Sequence, residues 1–234
     1  MEKLIEFFKD TQVHSVLDVG TGPGHFIKIL RQVFPQANLT GVDPDKDSLE
    51  IARADFPDVN FRQMTGEKID FPDNSFDVAA ISMALHHLSD VQLTFHEMQR
   101  VVKPDGWIIV NELFSDGLNP SQDVHKKMHH FRSKIDRMNG VVHNEAFTRR
   151  QILDQIKKSG LKVECSFDHK KTAEPPTREE ISQRKEKLWA ALETIKNRPE
   201  YSDMAKEIPL IEADLDKYGF EMATRLVAIA GVQK

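Results

Sequence analysis

The chain has 234 residues, of which 39% are apolar and 29% charged, and its net charge is -5. These are the proportions of an ordinary soluble globular protein, and they argue against a disordered chain or a broadly basic nucleic-acid binder. The length suits one α/β domain with room for an insertion, and the lone Cys165 rules out an internal disulfide and the paired-cysteine zinc signatures.

In chain order, the opening MEKLIEFFKD is amphipathic and carries neither a basic leader nor a long apolar segment. No later window reaches the roughly 18 consecutive apolar residues of a spanning helix, so a cytoplasmic protein is expected. Apolar runs with strand character follow at 15–20, 38–43, 59–64, 76–82 and 106–112, with helical stretches at 24–33, 46–54 and 89–102 between them. Strand, helix, strand spacing predicts a parallel sheet covered on both faces. After Glu112 the rhythm breaks. Asn119 to Met138 reads as one helix with an Asn or Ser cap and Pro120 in its first turn. TRRQILDQIKKSG reads as another helix, stopped by Gly160, and LKVECSFDH as a strand. Helical sequence resumes over 175–218, with breaks expected at Pro199 and Pro209, and a buried strand is expected at about 222–232.

The stretch SVLDVGTGPGHF places Gly20, Gly22 and Gly24 directly after the first strand and before a helix. Such a loop lets backbone N–H groups approach a ligand, and the helix N-terminus favours a negative group. The dinucleotide fingerprint needs its third glycine where His25 stands, which opposes NAD. The phosphate loop needs Gly-Lys-Ser/Thr, and no lysine follows until Lys28, which opposes ATP. Asp43, ending the second strand in LTGVDPD, is spaced so that its carboxylate accepts from both ribose hydroxyls of a nucleoside.

The run VLDVGTGPGHF, then GVDPDKDSLEIA, GEKIDFPDNSFDVAAISMALHHLSD and EMQRVVKPDGWIIVNE, resembles the class I S-adenosylmethionine-dependent methyltransferases, in particular the ubiquinone and menaquinone biosynthesis group. The resemblance covers about residues 15 to 112. It implies a doubly wound, seven-stranded, mostly parallel Rossmann-like sheet whose last strand is antiparallel, and S-adenosylmethionine as cofactor with S-adenosylhomocysteine as product. Carried over by position, Asp18, Gly20, Gly22 and Gly24 would line the methionine part, Asp43 would bind the ribose, and Pro44 would lie beside adenine. Thr65 stands where the family has an Asp for the adenine amino group; with Gly66 and Glu67 it completes that stretch. Ser82 is the last residue assigned to cofactor binding. Ile69 and Asp70 replace part of the family's Leu-Pro-Phe turn.

Methyl transfer from a sulfonium is an in-line displacement, so alignment and shielding from water are the main tasks, and a base is needed only for a protonated nucleophile. Ligands of doubly wound sheets bind beyond the carboxyl ends of the strands, which singles out 82–87 and 111–114. His86 and His87 are the base candidates, since imidazole titrates near pH ~6.5; shaping the loop is their competing role. Glu112 would orient an acceptor or pair with a cation. His125, His129 and His130 include an i, i+4 pair with His143 the nearest third ligand, but a solvated helical face is the expected reading and no metal is assigned. Residues 125–137 hold five Lys or Arg against one Asp, a candidate for greeting an acidic substrate. Phe114, Met128, Phe131, Met138, Trp189 and Tyr218 would wall an acceptor or pack the core, and Tyr201 and Tyr218 carry hydroxyls of no assigned place.

The combined reading is a single domain over 1–234, with a cofactor core at about 12–112 and helical lid insertions at about 115–145 and 175–218. It transfers a methyl group to a small-molecule acceptor; a non-catalytic binder of the same cofactor is the alternative, and a dinucleotide enzyme the more distant one. Nucleic-acid and membrane-spanning partners are not expected, and a homodimer is left open.

Overall fold

The apolar runs of the first half form β1 (Ser15–Val19), β2 (Asn38–Asp43), β3 (Asn60–Gln63), β4 (Phe76–Ser82) and β5 (Val102–Leu113), followed later by β6 (Lys162–His169) and β7 (Arg225–Gly231). A computed structural model describes residues 1–170 and 174–233 of the chain. All seven strands join one sheet in the order β3-β2-β1-β4-β5-β7-β6. β1 pairs in parallel with β2 and β4, β2 with β3, and β4 with β5. β7 runs the other way: Asp105 N–H donates to Val232 O at 3.2 Å and Val232 N–H to Gly106 O at 2.9 Å, joining the start of β5 to the end of β7. The expected antiparallel closing strand is therefore present, inserted between β5 and β6.

The chain divides into two compact units, Met1–Glu112 with Arg150–His169 and Leu226–Lys234, and Leu113–Arg149 with Lys170–Arg225. The first holds the sheet. Val16, Val78, Ala80, Ile109, Val227 and Ile229 alternate along β1, β4, β5 and β7 onto one face. There they meet Leu4 and Phe8 of α1 (Glu2–Phe8), Ile27 and Leu30 of α2 (Ile27–Val33) and Leu49 of α3 (Lys46–Asp55). α4 (Val91–Val101) packs on β4 with Phe95 and Met98 buried. Burial on both faces is why the central strands are continuous apolar runs and not alternating ones.

Three boundaries differ from the sequence expectation. The helix expected from residue 24 begins at Ile27, because Gly24 is held at φ +85°, outside helical geometry. β5 begins at Val102 instead of 106: Phe76 pairs with Val102 and Val78 with Trp107, a bulge that Asp105 turns at φ +60°. The third difference lies in the second unit, where α5 (Pro120–Met138), α7 (Arg178–Glu193) and α8 (Tyr201–Tyr218) pack together, α6 (Arg149–Lys158) having intervened in the chain. α8 does not break at Pro209 but runs through it. An interior proline costs roughly 3 kcal/mol. Four buried side chains on that helix, Met204, Ile208, Ile211 and Leu215, each contribute about 1.5–3 kcal/mol by leaving water, so packing wins. Among the described residues no helix is long and apolar enough to cross a membrane.

Candidate functional site

The site assembles at the carboxyl edge of the sheet, where β1, β2, β4 and β5 end. After β1 the glycine loop turns back on β2: Gly20 and Thr21 N–H both donate to Val42 O, at 2.8 and 3.0 Å. Gly20 stands at φ +68°, and a Cβ there would lie 2.6 Å from Ala84 Cβ. Gly22, at φ +51°, has nothing within 4 Å of a would-be Cβ, so its backbone faces open space. Gly20→Ala is therefore expected to cost about 2–4 kcal/mol of stability, from a left-handed backbone and an overpacked neighbour together. Gly22→Ala carries only the backbone penalty, about 1–2 kcal/mol. Urea unfolding of the two variants checks the difference; equal losses would overturn the packing account.

Asp43 ends β2 and ties the two loops together. Its Oδ2 accepts from Gly22 N–H at 2.8 Å and its Oδ1 from Asp45 N–H at 2.9 Å. Each carboxylate oxygen has a second lone pair, so the group still accepts from a ligand. Pro44 O accepts from Gln63 Nε2 at 2.9 Å, fixing the turn after β2.

Asp18 lies beneath the loop, 1% exposed. Its Oδ2 accepts from the Thr21 hydroxyl at 2.7 Å, while Oδ1 has no hydrogen-bond partner among the described residues. Thr21 is the residue that reading by glycine spacing missed; its only signal was its place between two of the glycines. Burial pushes the Asp18 carboxyl up to about 7, the Asp43 charge adds to the rise, and the Thr21 hydroxyl opposes it. Because its folded value lies above its unfolded one near 3.8, the folded chain keeps a proton the unfolded chain has lost. The stability this provides is complete below pH ~4 and is lost as pH rises through about 7. Asp18→Asn, neutral throughout, should gain on the wild type by up to about 1.4 kcal/mol per pH unit between those limits. Chemical denaturation across that range tests this, and a pH-independent gap would refute it.

Three further positions follow β3, with these local contacts. Glu67 Oε1 accepts from Ser89 Oγ at 2.8 Å and from the N–H groups of Ser89 and Asp90 at 3.1 and 3.4 Å. Although burial opposes it, these donors hold its carboxyl below the usual range. Gly66 packs where a Cβ would lie 2.9 Å from Thr94 Cγ2. Thr65 is exposed, and its carbonyl accepts from Lys68 N–H at 3.3 Å.

At the ends of β4 and β5, Ser82 Oγ accepts from Asn111 Nδ2 at 2.8 Å, and buried Asn111 Oδ1 has no partner among the described residues. The chain then turns through Met83 at φ +55°, its N–H donating to Asn111 O. Glu112 is fully buried: Oε2 accepts from Leu85 N–H at 3.0 Å and Oε1 lies 3.0 Å from His86 Nδ1. His86 is buried within this clamp, whereas His87 on the same short turn is exposed, with its ring centroid 4.3 Å from that of His86.

The candidates of the second unit scatter. His125 Nδ1 accepts from Ala223 N–H at 2.8 Å, and burial pushes that imidazole down to about 4, with Arg184 and Arg225 adding to the shift. His129 instead faces His143, so the i, i+4 pair shares no site and the face is not simply solvated. The five cations of 125–137 meet carboxylates: Lys126 and Lys127 pair with Asp123, Lys127 also with Asp214, Arg132 with Asp136, Lys134 with Glu207 and Arg137 with Glu145. That stretch is neutralised within its own unit. Phe131 joins the helical core with Met128 and Met138 at its margin, Phe114 is buried, Trp189 and Tyr218 are partly exposed, and the Tyr201 hydroxyl bonds Glu193.

A family model described as a methyltransferase domain matches residues 17–110. An uncharacterized methyltransferase, YcgJ, of Bacillus subtilis is 38% identical over 98 residues, 40% of this chain and 38% of that protein. The ubiquinone/menaquinone biosynthesis C-methyltransferase of Hahella chejuensis is 31% identical over 150 residues, 61% of this chain and 59% of that protein. The chain thus spans well under two thirds of the length of these curated relatives. The crystal structure of YcgJ superposes with a TM-score of 0.64 at 20% identity, covering 100% of this chain and 97% of that one.

Proposed function

We infer that this chain, whose residues 17–110 form a class I S-adenosylmethionine-dependent methyltransferase domain, transfers a methyl group from S-adenosylmethionine to a small organic acceptor. The observation that carries the reading is the glycine loop pinned between β1 and Asp43, above a buried Asp18 oxygen that has no donor among the described residues. The cofactor fits these residues, since it brings an ammonium and ribose hydroxyls as donors. When bound, it supplies an electrophilic methyl on sulfonium.

The residues divide the work. Asp43 takes the ribose hydroxyls, Asp18 and the loop at Gly20, Gly22 and Gly24 hold the methionine end, and Pro44 with Thr65 flanks adenine. Ser82 and Asn111 stand at the neighbouring strand ends, where Asn111 Oδ1 likewise has no partner among the described residues. Glu112 and His86 are positioning residues that fix the 85–87 turn. For an acceptor that carries a proton, His87 on that turn is the base. Acceptor choice is assigned to the chain outside 17–110. It is a small molecule on this reading, because the basic stretch at 125–137 is already paired with carboxylates among the described residues.

Calorimetric titration with S-adenosylmethionine, S-adenosylhomocysteine and NAD tests the cofactor. The first two should bind, and binding of NAD alone would overturn the reading. Incubating a metabolite extract with isotopically methyl-labelled cofactor should give a labelled small-molecule product by mass spectrometry.

A further inference from the structure

The segment following α5 brings His143 back onto that helix, outside the methyltransferase-domain match. The His143 side chain is 7% exposed, and its Nδ1 lies 2.8 Å from Asp136 Oδ2. A carboxylate only accepts, so Nδ1 bears the ring proton and Nε2 presents a lone pair. That lone pair is aimed at His129: the two Nε2 atoms stand 3.2 Å apart, with the rings at 83° to each other.

We propose that His129 and His143 are the two protein ligands of a site for a borderline divalent transition ion, zinc foremost. Two imidazole nitrogens each about 2.05 Å from a tetrahedral zinc stand about 3.3 Å from one another, close to the separation found here. Asp136 supplies the outer-shell carboxylate that metal-binding histidines characteristically carry, fixing the tautomer and raising the basicity of His143. The ion takes the place of the one proton lying between the two Nε2 atoms; His129 gives that proton up at Nε2 and carries one at Nδ1 instead, so both rings bind as neutral imidazoles. Imidazole suits zinc, copper and nickel and disfavours calcium and magnesium, which sets the class of ion. Two imidazoles fill half of a tetrahedral shell, so water or an oxygen ligand completes it and the ion exchanges. The adjacent histidines are committed elsewhere, His125 Nδ1 to Ala223 N–H and His130 Nε2 to Ala146 N–H.

The test loads chelator-treated full-length protein with zinc alone and measures bound metal by titration calorimetry and elemental mass spectrometry. One zinc per chain is expected. His129→Gln and His143→Gln should each abolish saturable binding, Asp136→Asn should weaken it by about 10–100-fold, and His130→Ala should leave it unchanged. X-ray absorption of the loaded wild type, which requires no variant to fold, should show two imidazole nitrogens among the nearest scatterers. Failure of the wild type to bind zinc, or unchanged binding in both histidine variants, overturns the site and leaves a hydrogen-bonded pair. Neither result bears on methyl-donor binding, which calorimetry with S-adenosylmethionine reads separately.

Discussion

Replacing Asp43 with alanine should weaken binding of S-adenosylmethionine by about 100-fold while leaving the chain folded. Two effects add. The carboxylate accepts from Gly22 and Asp45 N–H, and so holds the glycine loop in the shape that receives the ligand. In the bound state the same group is proposed to accept from the ribose hydroxyls. Hydrogen bonds to a charged group are worth about 1.5–3 kcal/mol each, and about 2.7 kcal/mol corresponds to the stated loss. Stability should suffer little, about 1 kcal/mol, because Asp43 sits at the rim, where water can take over both backbone donors. Titration calorimetry reads the affinity and thermal unfolding reads the fold. A change below about threefold would remove Asp43 from the site. Asp43→Asn, which keeps an acceptor and loses the charge, should fall between the two.

Replacing Glu112 with alanine should have the opposite profile, a large loss of stability. Glu112 is fully buried and answers both Leu85 N–H and His86 Nδ1. Its removal strands two polar groups inside the protein, each at about 1–3 kcal/mol. The sum, about 2–6 kcal/mol, corresponds to a fall in Tm of roughly 4–24 °C for a chain of this size. Glu112→Gln retains one acceptor and should recover about half of that. A Tm within 2 °C of wild type for the alanine variant, about the effect of a single weak contact, would show that the clamp contributes little.

These two acidic residues illustrate what was legible beforehand. Asp43 could be placed at the end of its strand beside the glycine loop, and so proposed as a ribose ligand, because its signal is local: a strand, a glycine loop before it, and a fixed spacing between them. Glu112 could be placed at a strand end, but whether it met acceptor or cation was undecidable, since its partners, Leu85 and His86, are supplied by a strand-end turn that only the β4–β5 pairing brings beside it. The basic stretch at 125–137 shows the same limit. Counted along the helix it carries a large positive excess, yet Glu207 and Asp214 of α8 answer Lys134 and Lys127. Pro209 misled for a related reason, since a local helix-breaking penalty was weighed without the apolar stripe that offsets it.

While the antiparallel last strand came from the family resemblance, apolar periodicity and glycine spacing determined the doubly wound parallel sheet, the glycine loop and the carboxylate at the end of β2. These follow from short-range rules: backbone sterics at glycine, alternation across a pleat, and the chain length a right-handed crossover requires. Tertiary structure alone decided the burial that isolates Asp18, the clamp of Glu112 on His86, the neutralisation of the lysines and the pairing of His129 with His143 in place of His125. Each depends on which distant groups share a low-dielectric space, and desolvation and hydrogen-bond satisfaction are properties of that shared space and not of any one segment.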